Sequence, residues 1–239
     1  MYVIDRKKNV PATYSIHEMA EDTAQFMNEL RIRDAYVFGA SQGGMIAMEI
    51  AINHPELVRC MILGSTAAAA ATASIATSAT ASDTASEEMG AAETSGTGET
   101  ETAEAVIGTG VIDKWINLAE AGSVTALFQS FWEYLYNQKM DEAAVREAAK
   151  SITTEELKRF IVLAKAIKGF NILGELKKIQ CPVLVIGSKD DRVLGSKASL
   201  LIANQIPHSE LFMYEGYGHA AYDTASDYRE RMKRFFDEH

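Results

Sequence analysis

The sequence predicts an α/β fold: a doubly wound, mostly parallel sheet with helices on both faces. Four short runs, at 2–4, 35–38, 58–63 and 183–186, are almost continuously apolar, and strands that are covered on both faces have this pattern. Segments with helical periodicity alternate with these runs along most of the chain, which is typical of a doubly wound sheet.

The individual elements follow from local signals. Ser15 and Glu18 form the pattern of a capping box at the start of the first helix, and the second helix ends before Pro55, since the residue before a proline rarely stays helical. The predicted elements, in chain order, are strand 2–4, helix 15–30, strand 35–38, helix 42–53, strand 58–63, strand 183–186, helix 196–205, a weaker strand at 211–214 and helix 224–236.

The middle of the chain interrupts this alternation. Residues 66–104 are nearly all Ala, Thr, Ser, Gly and Glu, with no His, Cys or aromatic residue, so we expect a flexible insertion without chemistry, whose early part favours at most a weak helix. Residues 106–169 have helical spacing again, which predicts either a helical cap or ordinary core helices on the sheet. The predicted organisation is a core at 1–65 and 179–239, a low-complexity insertion at 66–105 and a helical cap at 106–178.

Composition narrows the class of function. The chain has 239 residues and a formal net charge of −10, so we expect no nucleic-acid or anionic-membrane partner. We expect a cytoplasmic protein, because the charged N-terminus does not resemble a signal peptide and no apolar run has the length of a membrane span. The spacing of His and Cys residues indicates no metal site, no cofactor motif is present, and homo-oligomerisation is left open.

A serine flanked by glycines follows the strand at 35–38. Residues 39–44 read Gly-Ala-Ser-Gln-Gly-Gly and precede a predicted helix, which is the G-x-S-x-G pattern in a strand–turn–helix context. We therefore expect Ser41 to be a nucleophile and the backbone amide of Gln42 to bind an oxyanion. The alternative is a tight turn whose serine is incidental.

Serine becomes a good nucleophile only when a base accepts its proton, and an acid must orient that base. Among five histidines, His219 lies on a loop directly after a predicted strand, at the same sheet edge as Ser41. Asp190 and Asp191 follow the strand at 183–186 and lie at this edge too. We expect His219 to be the general base and one of the two aspartates to be the orienting acid, in the chain order Ser, Asp, His.

Taken together, these motifs resemble the α/β-hydrolase fold family, in its esterase, lipase and haloperoxidase-like group. The resemblance covers residues 2–66 and 179–236. It implies a catalytic triad and favours Asp191 over Asp190, since the family's acid is followed by one residue and then a branched aliphatic one. The motifs that carry the resemblance are Gly39-Ala-Ser-Gln-Gly-Gly44, His54-Pro-Glu-Leu-Val58, Pro182-Val-Leu-Val-Ile-Gly187, Asp191-Arg-Val193 and Gly216-Tyr-Gly-His219.

The N-terminus departs from the family pattern. Family members have further strands before the one matched by 2–4, and one of them ends in a His-Gly loop that donates a second amide to the oxyanion; neither is found here. We expect a fragment, a shortened gene product or a chain completed by a partner. In the family, one of the missing strands lies between those matched by 2–4 and 35–38, so the resemblance implies a gap beside strand 35–38. We expect this gap to be closed by residues 2–4, by a strand from 66–104, which we favour slightly, or by a second molecule.

The leading hypothesis is a serine hydrolase that cleaves a small ester or related acyl compound through an acyl-serine intermediate. Four aromatic residues of the predicted cap are candidates for an apolar acyl pocket, although such residues are more often core: Trp115, Phe128, Phe131 and Trp132. One alternative is a non-catalytic ligand-binding or interaction protein on a truncated hydrolase fold. Another is a different reaction of the same triad, such as acyl transfer or cofactor-free perhydrolysis.

Overall fold

The computed structural model of the chain describes residues 1–71, 107–108 and 110–239. Two short 3₁₀ helices, Pro55–Leu57 and Leu173–Lys178, join longer elements. The helices and strands are α1 (Ile16–Glu29), β1 (Ala35–Ala40), α2 (Gln42–Asn53), β2 (Val58–Gly64), β3 (Ala70–Ala71), β4 (Ile107–Gly108), α3 (Gly110–Glu120), α4 (Val124–Tyr136), α5 (Glu142–Ala149), α6 (Thr154–Lys168), β5 (Val183–Ser188), α7 (Ser196–Gln205), β6 (Ser209–Tyr214), α8 (Ala221–Thr224) and α9 (Tyr228–Glu238).

The main sheet has the strand order β1-β2-β5-β6, and every pairing in it is parallel. The prediction of a doubly wound parallel sheet is therefore confirmed. All four strands end at the same edge of the sheet, where a parallel α/β fold places its ligands. Strand β5 lies inside the sheet, whereas β1 lies at its border. Strands β3 and β4 pair with each other in a separate small sheet.

Alternate residues of β2 and β5 face two different hydrophobic cores, one on each side of the sheet. This explains why both strands are continuously apolar, because neither face is exposed to water. One core receives Met61, Leu63, Val183 and Val185. The other, which also contains residues of α8 and α9, receives Cys60, Ile62, Leu184 and Ile186.

Most helices begin and end where the sequence predicts. Helix α1 has the predicted capping box, since the Ser15 side chain accepts from the Glu18 backbone and the Glu18 side chain accepts from the Ser15 backbone. The predicted last helix at 224–236 is wrong in its bounds. The chain turns between α8 and α9, and this turn brings the Tyr228 ring into the core with 1% exposure, stacked on Tyr214.

The predicted strand at 2–4 does not form. Tyr2 and Val3 are 65% and 88% exposed, so the run has no packed face to stabilise an extended pairing. The N-terminal segment instead lines one wall of a groove of about 490 Å³, and β1 lines the other wall. Direct pairing of 2–4 with β1 is therefore wrong, and in the described part of the chain the outer edge of β1 has no strand partner. The favoured route, a strand from 66–104, falls mostly outside the described residues, so that route and closure by a second molecule stay predictions.

The predicted insertion at 66–105 lies mostly outside the described residues. Its first residues are an exception, because Thr66 and Ala67 through Ala69 are buried in the core. The short strand Ala70–Ala71 pairs with Ile107–Gly108 and not with β1. The core therefore extends a few residues beyond the predicted boundary at 65.

Helices α3 to α6 form the described part of the predicted cap. Helix α6 begins with a second capping box, between Thr153 and Glu156. Helices α3, α4 and α6 contribute apolar side chains to the pocket that contains Ser41, so they cover the carboxyl edge of the sheet. No helix within the described ranges is long and apolar enough to cross a membrane.

Candidate active site

Ser41 lies on the sharp turn between β1 and α2. Its backbone has φ 51° and ψ −123°, a conformation that costs a residue other than glycine about 1–3 kcal/mol. Hydrogen bonds to both backbone groups of Ser41 hold this conformation. The Ser41 N–H donates to the Gly64 carbonyl at 2.8 Å, and the Ser41 carbonyl accepts from Thr66 Oγ1 at 2.6 Å and from the Gly44 N–H at 2.9 Å.

Two of the glycines beside Ser41 are required by close contacts. A Cβ atom at Gly39 would lie 2.4 Å from the Gly43 carbonyl oxygen, and one at Gly44 would lie 2.6 Å from the Thr66 side chain. Gly43 differs, because a Cβ atom there would meet nothing within 4 Å. The second glycine of the G-x-S-x-G pattern is therefore not required by the described packing, whereas Gly44, just after the pattern, is.

Gln42 is the first residue of α2. Its backbone N–H therefore has no acceptor within the helix, and it lies at the positive end of the helix dipole. The Gln42 side chain donates from Nε2 to the Leu163 carbonyl of α6 at 2.7 Å. This bond ties the turn that carries Ser41 to the covering helices.

His219 and Asp191 form a buried hydrogen-bonded pair. His219 Nδ1 lies 2.9 Å from Asp191 Oδ2, and the two side chains are 1% and 4% exposed. The other carboxylate oxygen accepts from the backbone N–H groups of Val193 at 2.8 Å and Leu194 at 3.0 Å. Because an ionised carboxylate only accepts, Nδ1 carries the proton and the His219 Nε2 atom is left as an acceptor.

The surroundings of Asp191 keep its carboxylate ionised. Burial by itself raises the pKa of Asp191, but the hydrogen bond and charge of His219 and the two backbone N–H groups outweigh it. The pKa of Asp191 therefore lies below its ordinary value. The acid beside His219 carries its negative charge at neutral pH.

Asp190 holds the loop on which His219 lies. Its carboxylate accepts from the backbone N–H groups of Gly216 and Gly218, both at 3.0 Å. It also accepts from Ser188 Oγ and from Asn137 Nδ2, at 2.7 Å each. Burial raises the pKa of Asp190, but these donors together lower it below the ordinary value. The two neighbouring aspartates thus contact different parts of the same loop.

Ser41, Gln42 and His219 line one pocket of about 190 Å³ at the carboxyl edge of the sheet. Among the described residues no hydrogen bond joins Ser41 and His219, so a direct proton transfer between these two side chains stays a prediction. Apart from these residues, the pocket is lined by Arg6, Ile112, Trp115, Phe131, Leu135, Phe160, Leu163, Ala164, Ile167, Val193, Leu194 and Tyr222.

Two of the four aromatic candidates lie at this pocket. Trp115 stacks on Phe131 with ring centroids 4.1 Å apart, and the Trp115 Nε1 donates to Ser130 Oγ at 3.1 Å. Phe128 does not line the pocket, and Trp132 lines a separate surface pocket. The reason is helical geometry. The four positions 128, 131, 132 and 135 lie on one broad face of α4, with 131 and 135 toward the side that reaches the pocket and 128 and 132 toward the other side.

Sequence reasoning missed several residues of the pocket. The apolar residues Phe160, Leu163 and Ile167 of α6 have helical spacing, which predicts a buried face. That spacing does not show that this face lines the Ser41 pocket. Arg6 and Tyr222 belong to no motif. Within the described ranges no group of three or more His, Cys, Asp or Glu residues is placed to hold a metal ion.

A serine on a strained strand-to-helix turn, in one pocket with the histidine of a buried His–Asp pair at the carboxyl edge of a parallel sheet, is the arrangement of the α/β-hydrolase class of folds. A family model described as "alpha/beta hydrolase fold" matches residues 5–226. The chain belongs to the α/β-hydrolase fold family.

Similar proteins agree with this assignment. A protein of Serratia proteamaculans (strain 568) named "Putative carbamate hydrolase RutD" is 23% identical over 226 residues, which is 95% of this chain and 74% of that one. A protein of the same name from Agrobacterium fabrum is 25% identical, over 95% of this chain and 76% of that one. Family membership and these relatives support hydrolase activity.

Solved structures show the same fold. The α/β-hydrolase enzyme MGS-M2 from a Medee basin deep-sea metagenome library has a TM-score of 0.73 and 19% identity, over 96% of this chain and 74% of that one. The esterase EaEST from Exiguobacterium antarcticum has a TM-score of 0.68 and 20% identity, over 96% of this chain and 75% of that one.

Proposed function

We propose that this chain hydrolyses a small ester or a related acyl compound through an acyl-serine intermediate. Ser41 is the nucleophile, His219 the general base and Asp191 the acid that orients His219. The backbone amide of Gln42 binds the oxyanion, and Trp115 and Phe131 contact the acyl group.

The observation that carries this proposal is the buried His219–Asp191 hydrogen bond of 2.9 Å in the pocket that Ser41 also lines. A buried histidine that is held in one tautomer by an ionised carboxylate is the form that accepts a serine proton. Ser41 has a strained backbone, and such strain persists at functional sites when the surrounding contacts hold it.

The first half of the reaction forms the acyl-serine. Ser41 Oγ attacks the carbonyl carbon of the substrate while His219 Nε2 accepts the hydroxyl proton. The carbonyl oxygen becomes an oxyanion, which the Gln42 amide and the positive end of the α2 dipole stabilise. As the intermediate collapses, the bond to the leaving alcohol breaks and His219 returns the proton to the alcohol oxygen. Asp191 stabilises the charged imidazole between these transfers.

The second half releases the acid. A water molecule replaces the alcohol and loses a proton to His219 Nε2 as its oxygen attacks the acyl carbon. The bond to Ser41 Oγ then breaks, and the proton returns to Ser41. The products are a carboxylic acid and the free enzyme. The same steps apply to a carbamate carbonyl, which is the substrate class in the name of the RutD relatives.

A direct test combines labelling with turnover. The wild-type chain and the Ser41→Ala variant are incubated with a fluorophosphonate probe and assayed on short- and medium-chain acyl esters and on alkyl carbamates. We expect labelling at Ser41 and ester turnover in the wild type, with both lost in Ser41→Ala. Because removal of a serine nucleophile leaves only residual catalysis, turnover falls by at least about 10³-fold.

The same assay separates the enzyme from a non-catalytic binding protein on this fold. Wild-type protein that is folded by circular dichroism, is not labelled and turns over none of these compounds supports the binding protein. An acyl-serine that transfers its acyl group to an added alcohol faster than to water indicates a transferase with the same triad.

A further inference from the structure

One charged side chain enters the Ser41 pocket without a role in the reaction above. Arg6 lines this pocket together with Ser41, Gln42 and His219, and among the described lining residues it is the only one with a permanent charge. The remaining wall is almost entirely apolar. The Arg6 side chain is 31% exposed, so its guanidinium is partly shielded from water and interacts with a bound ligand more strongly than a fully solvated charge does.

One hydrogen-bond donor of the Arg6 side chain is unused. Its Nε atom is buried and has no hydrogen-bond partner, and the nearest carboxylate oxygen, Asp5 Oδ1, lies 3.5 Å away. That contact is an ion pair and is too long for a good hydrogen bond. A buried donor without an acceptor is unfavourable, so the site is completed by a ligand that accepts hydrogen bonds.

Asp5 does not neutralise this region. One of its oxygens accepts from the Arg6 backbone N–H at 2.8 Å, and the other pairs with Arg159 Nη2 at 3.0 Å. Arg159 also donates to the Arg6 carbonyl at 2.8 Å. Two guanidinium groups therefore share one carboxylate beside the pocket. Burial and the charge of Arg159 lower the pKa of Arg6, with Asp5 opposing this shift, but an arginine stays protonated.

A carboxylate is the ligand group that fits this arrangement. The guanidinium presents its N–H donors in a planar fork that matches two carboxylate oxygens. The protein carries a net charge of −10, which disfavours the approach of anions in general. A local cation inside the pocket reverses that effect at the one place where the acyl group binds.

We infer that Arg6 binds a carboxylate on the substrate, so that the preferred substrates of the Ser41 site are small acyl compounds with a second, ionised carboxyl group. This inference rests on the proposed function, since it concerns the same pocket. Arg6 takes no part in bond formation: its guanidinium fixes the far end of the acyl chain while the carbonyl lies at Ser41.

The test compares two esters of the same shape and different charge. Monoethyl succinate and ethyl 4-methylpentanoate differ in that a carboxylate of the first replaces an isopropyl group of the second. Hydrolysis is followed by pH-stat with wild type, Arg6→Gln, Arg6→Lys and Arg146→Gln. Arg146 is an exposed arginine on α5 that does not line the pocket, so its variant controls for the loss of one positive charge.

We expect the wild type to favour the succinate ester. The ratio of kcat/KM for the two esters should fall about 10- to 100-fold in Arg6→Gln, mainly through KM for the succinate ester, because a hydrogen bond to a charged group contributes this much. Arg6→Lys should keep part of the preference and Arg146→Gln all of it. A wild type without preference overturns the inference, and so does an Arg6→Gln variant that loses both activities by the same factor.

A binding measurement separates this inference from the proposed function. Calorimetric titration of Ser41→Ala with succinate needs no turnover. If neither ester is hydrolysed but succinate binds and Arg6→Gln removes that binding, the proposed function fails and the carboxylate site stands. If esters are hydrolysed but succinate does not bind, only the carboxylate site fails.

Discussion

The two halves of the candidate site are built differently. The acid–base half consists of the buried His219–Asp191 pair and the half-buried Asp190, and both aspartates accept several hydrogen bonds. The nucleophile half, which consists of Ser41 and the adjoining strand β1, has a strained backbone and borders an open groove. Arg6 lies where the pocket meets this groove, since it lines both.

This difference indicates a division of tasks. The proton-transfer groups must keep one geometry and one tautomer, and a dense set of hydrogen bonds fixes them. The substrate must enter and be recognised, and the unfilled side of the site offers both space and a cation with a free hydrogen-bond donor. Variants of the first half should therefore change the chemical step, and variants of the second should change recognition or local stability.

The largest expected effect separates the two neighbouring aspartates. In Asp191→Asn, the amide oxygen keeps the two backbone N–H groups of Val193 and Leu194, so the amide NH₂ faces His219 Nδ1. The imidazole then takes the other tautomer and loses its acceptor at Nε2. We expect kcat to fall about 10⁴-fold, the size of effect that this change has in a serine protease triad.

Asp190→Asn is the matched control. The Asp190 side chain contacts the backbone of the His219 loop and not the His219 ring, so we expect kcat to fall about tenfold or less. The free energy of unfolding of Asp190→Asn should fall by about 1–3 kcal/mol, because the new NH₂ group cannot accept a hydrogen bond from one of the buried donors. Steady-state kinetics and urea unfolding measure both. A larger loss of kcat in Asp190→Asn reverses the assignment of the acid.

Hydrogen exchange compares the open edge of β1 with the interior of the sheet. The Ser41 N–H points toward β2, where it donates to Gly64. Because N–H directions alternate along a strand, those of Phe38 and Ala40 point to the open edge. We expect these two amides to exchange at least about 10³-fold faster than those of β5, whose exchange requires opening of the core.

Amide exchange is followed by NMR, with the Gly39 and Ser41 amides as internal controls on the paired side of the same strand. Protection of Phe38 and Ala40 at the level of β5 contradicts an open edge. It shows that this edge is paired in solution, and a concentration series then tests whether a second copy of the chain pairs with it.

Alanine substitutions at Gly39 and Gly43 test whether the packed side and the open side of the Ser41 turn contribute differently to the stability of the protein. Gly39→Ala places a Cβ atom 2.4 Å from the Gly43 carbonyl, and we expect it to lower the free energy of unfolding by about 1–3 kcal/mol. Gly43 lies in α2 and has open space beside it, so Gly43→Ala adds a methyl group without a clash. Alanine is also a better helix former than glycine, by about 0.5–1 kcal/mol.

Thermal and urea unfolding of both variants decide this comparison. The expected result is a lower midpoint for Gly39→Ala and an unchanged or higher one for Gly43→Ala. Equal destabilisation by both substitutions means that something fills the space beside Gly43 in solution.

The smallest expected effect concerns the acyl pocket. Phe131→Ala enlarges the pocket beside Trp115, so we expect the preferred acyl chain to lengthen and kcat/KM for the shortest ester to fall about tenfold. Phe128→Ala removes an aromatic ring of the same helix that does not line the pocket, and it should leave the chain-length profile unchanged. A series of linear acyl esters measures both profiles, and a shift in Phe128→Ala contradicts the assigned lining.

The residues of the site differ in how well the sequence alone could predict them. Ser41 and His219 follow from local motifs, because the turn and loop that carry them have recognisable glycines and follow strands. The choice of Asp191 needed the family resemblance, since both aspartates have the same local context. Thr66, which donates to the Ser41 carbonyl, was assigned to an inert insertion because nothing in an alanine- and threonine-rich segment marks one buried hydroxyl.

The sequence alone determined the alternation of β1, α2, β2, β5, α7 and β6, because long apolar runs and helical periodicity are local signals that burial then stabilises. It did not determine the fate of residues 2–4, since three apolar residues become a strand only when a neighbour offers a paired edge. The tertiary structure also decided that Arg6 lines the same pocket as Ser41, which is 35 positions away in the sequence. A pocket is made by side chains that converge in space, and no period along the chain records that convergence.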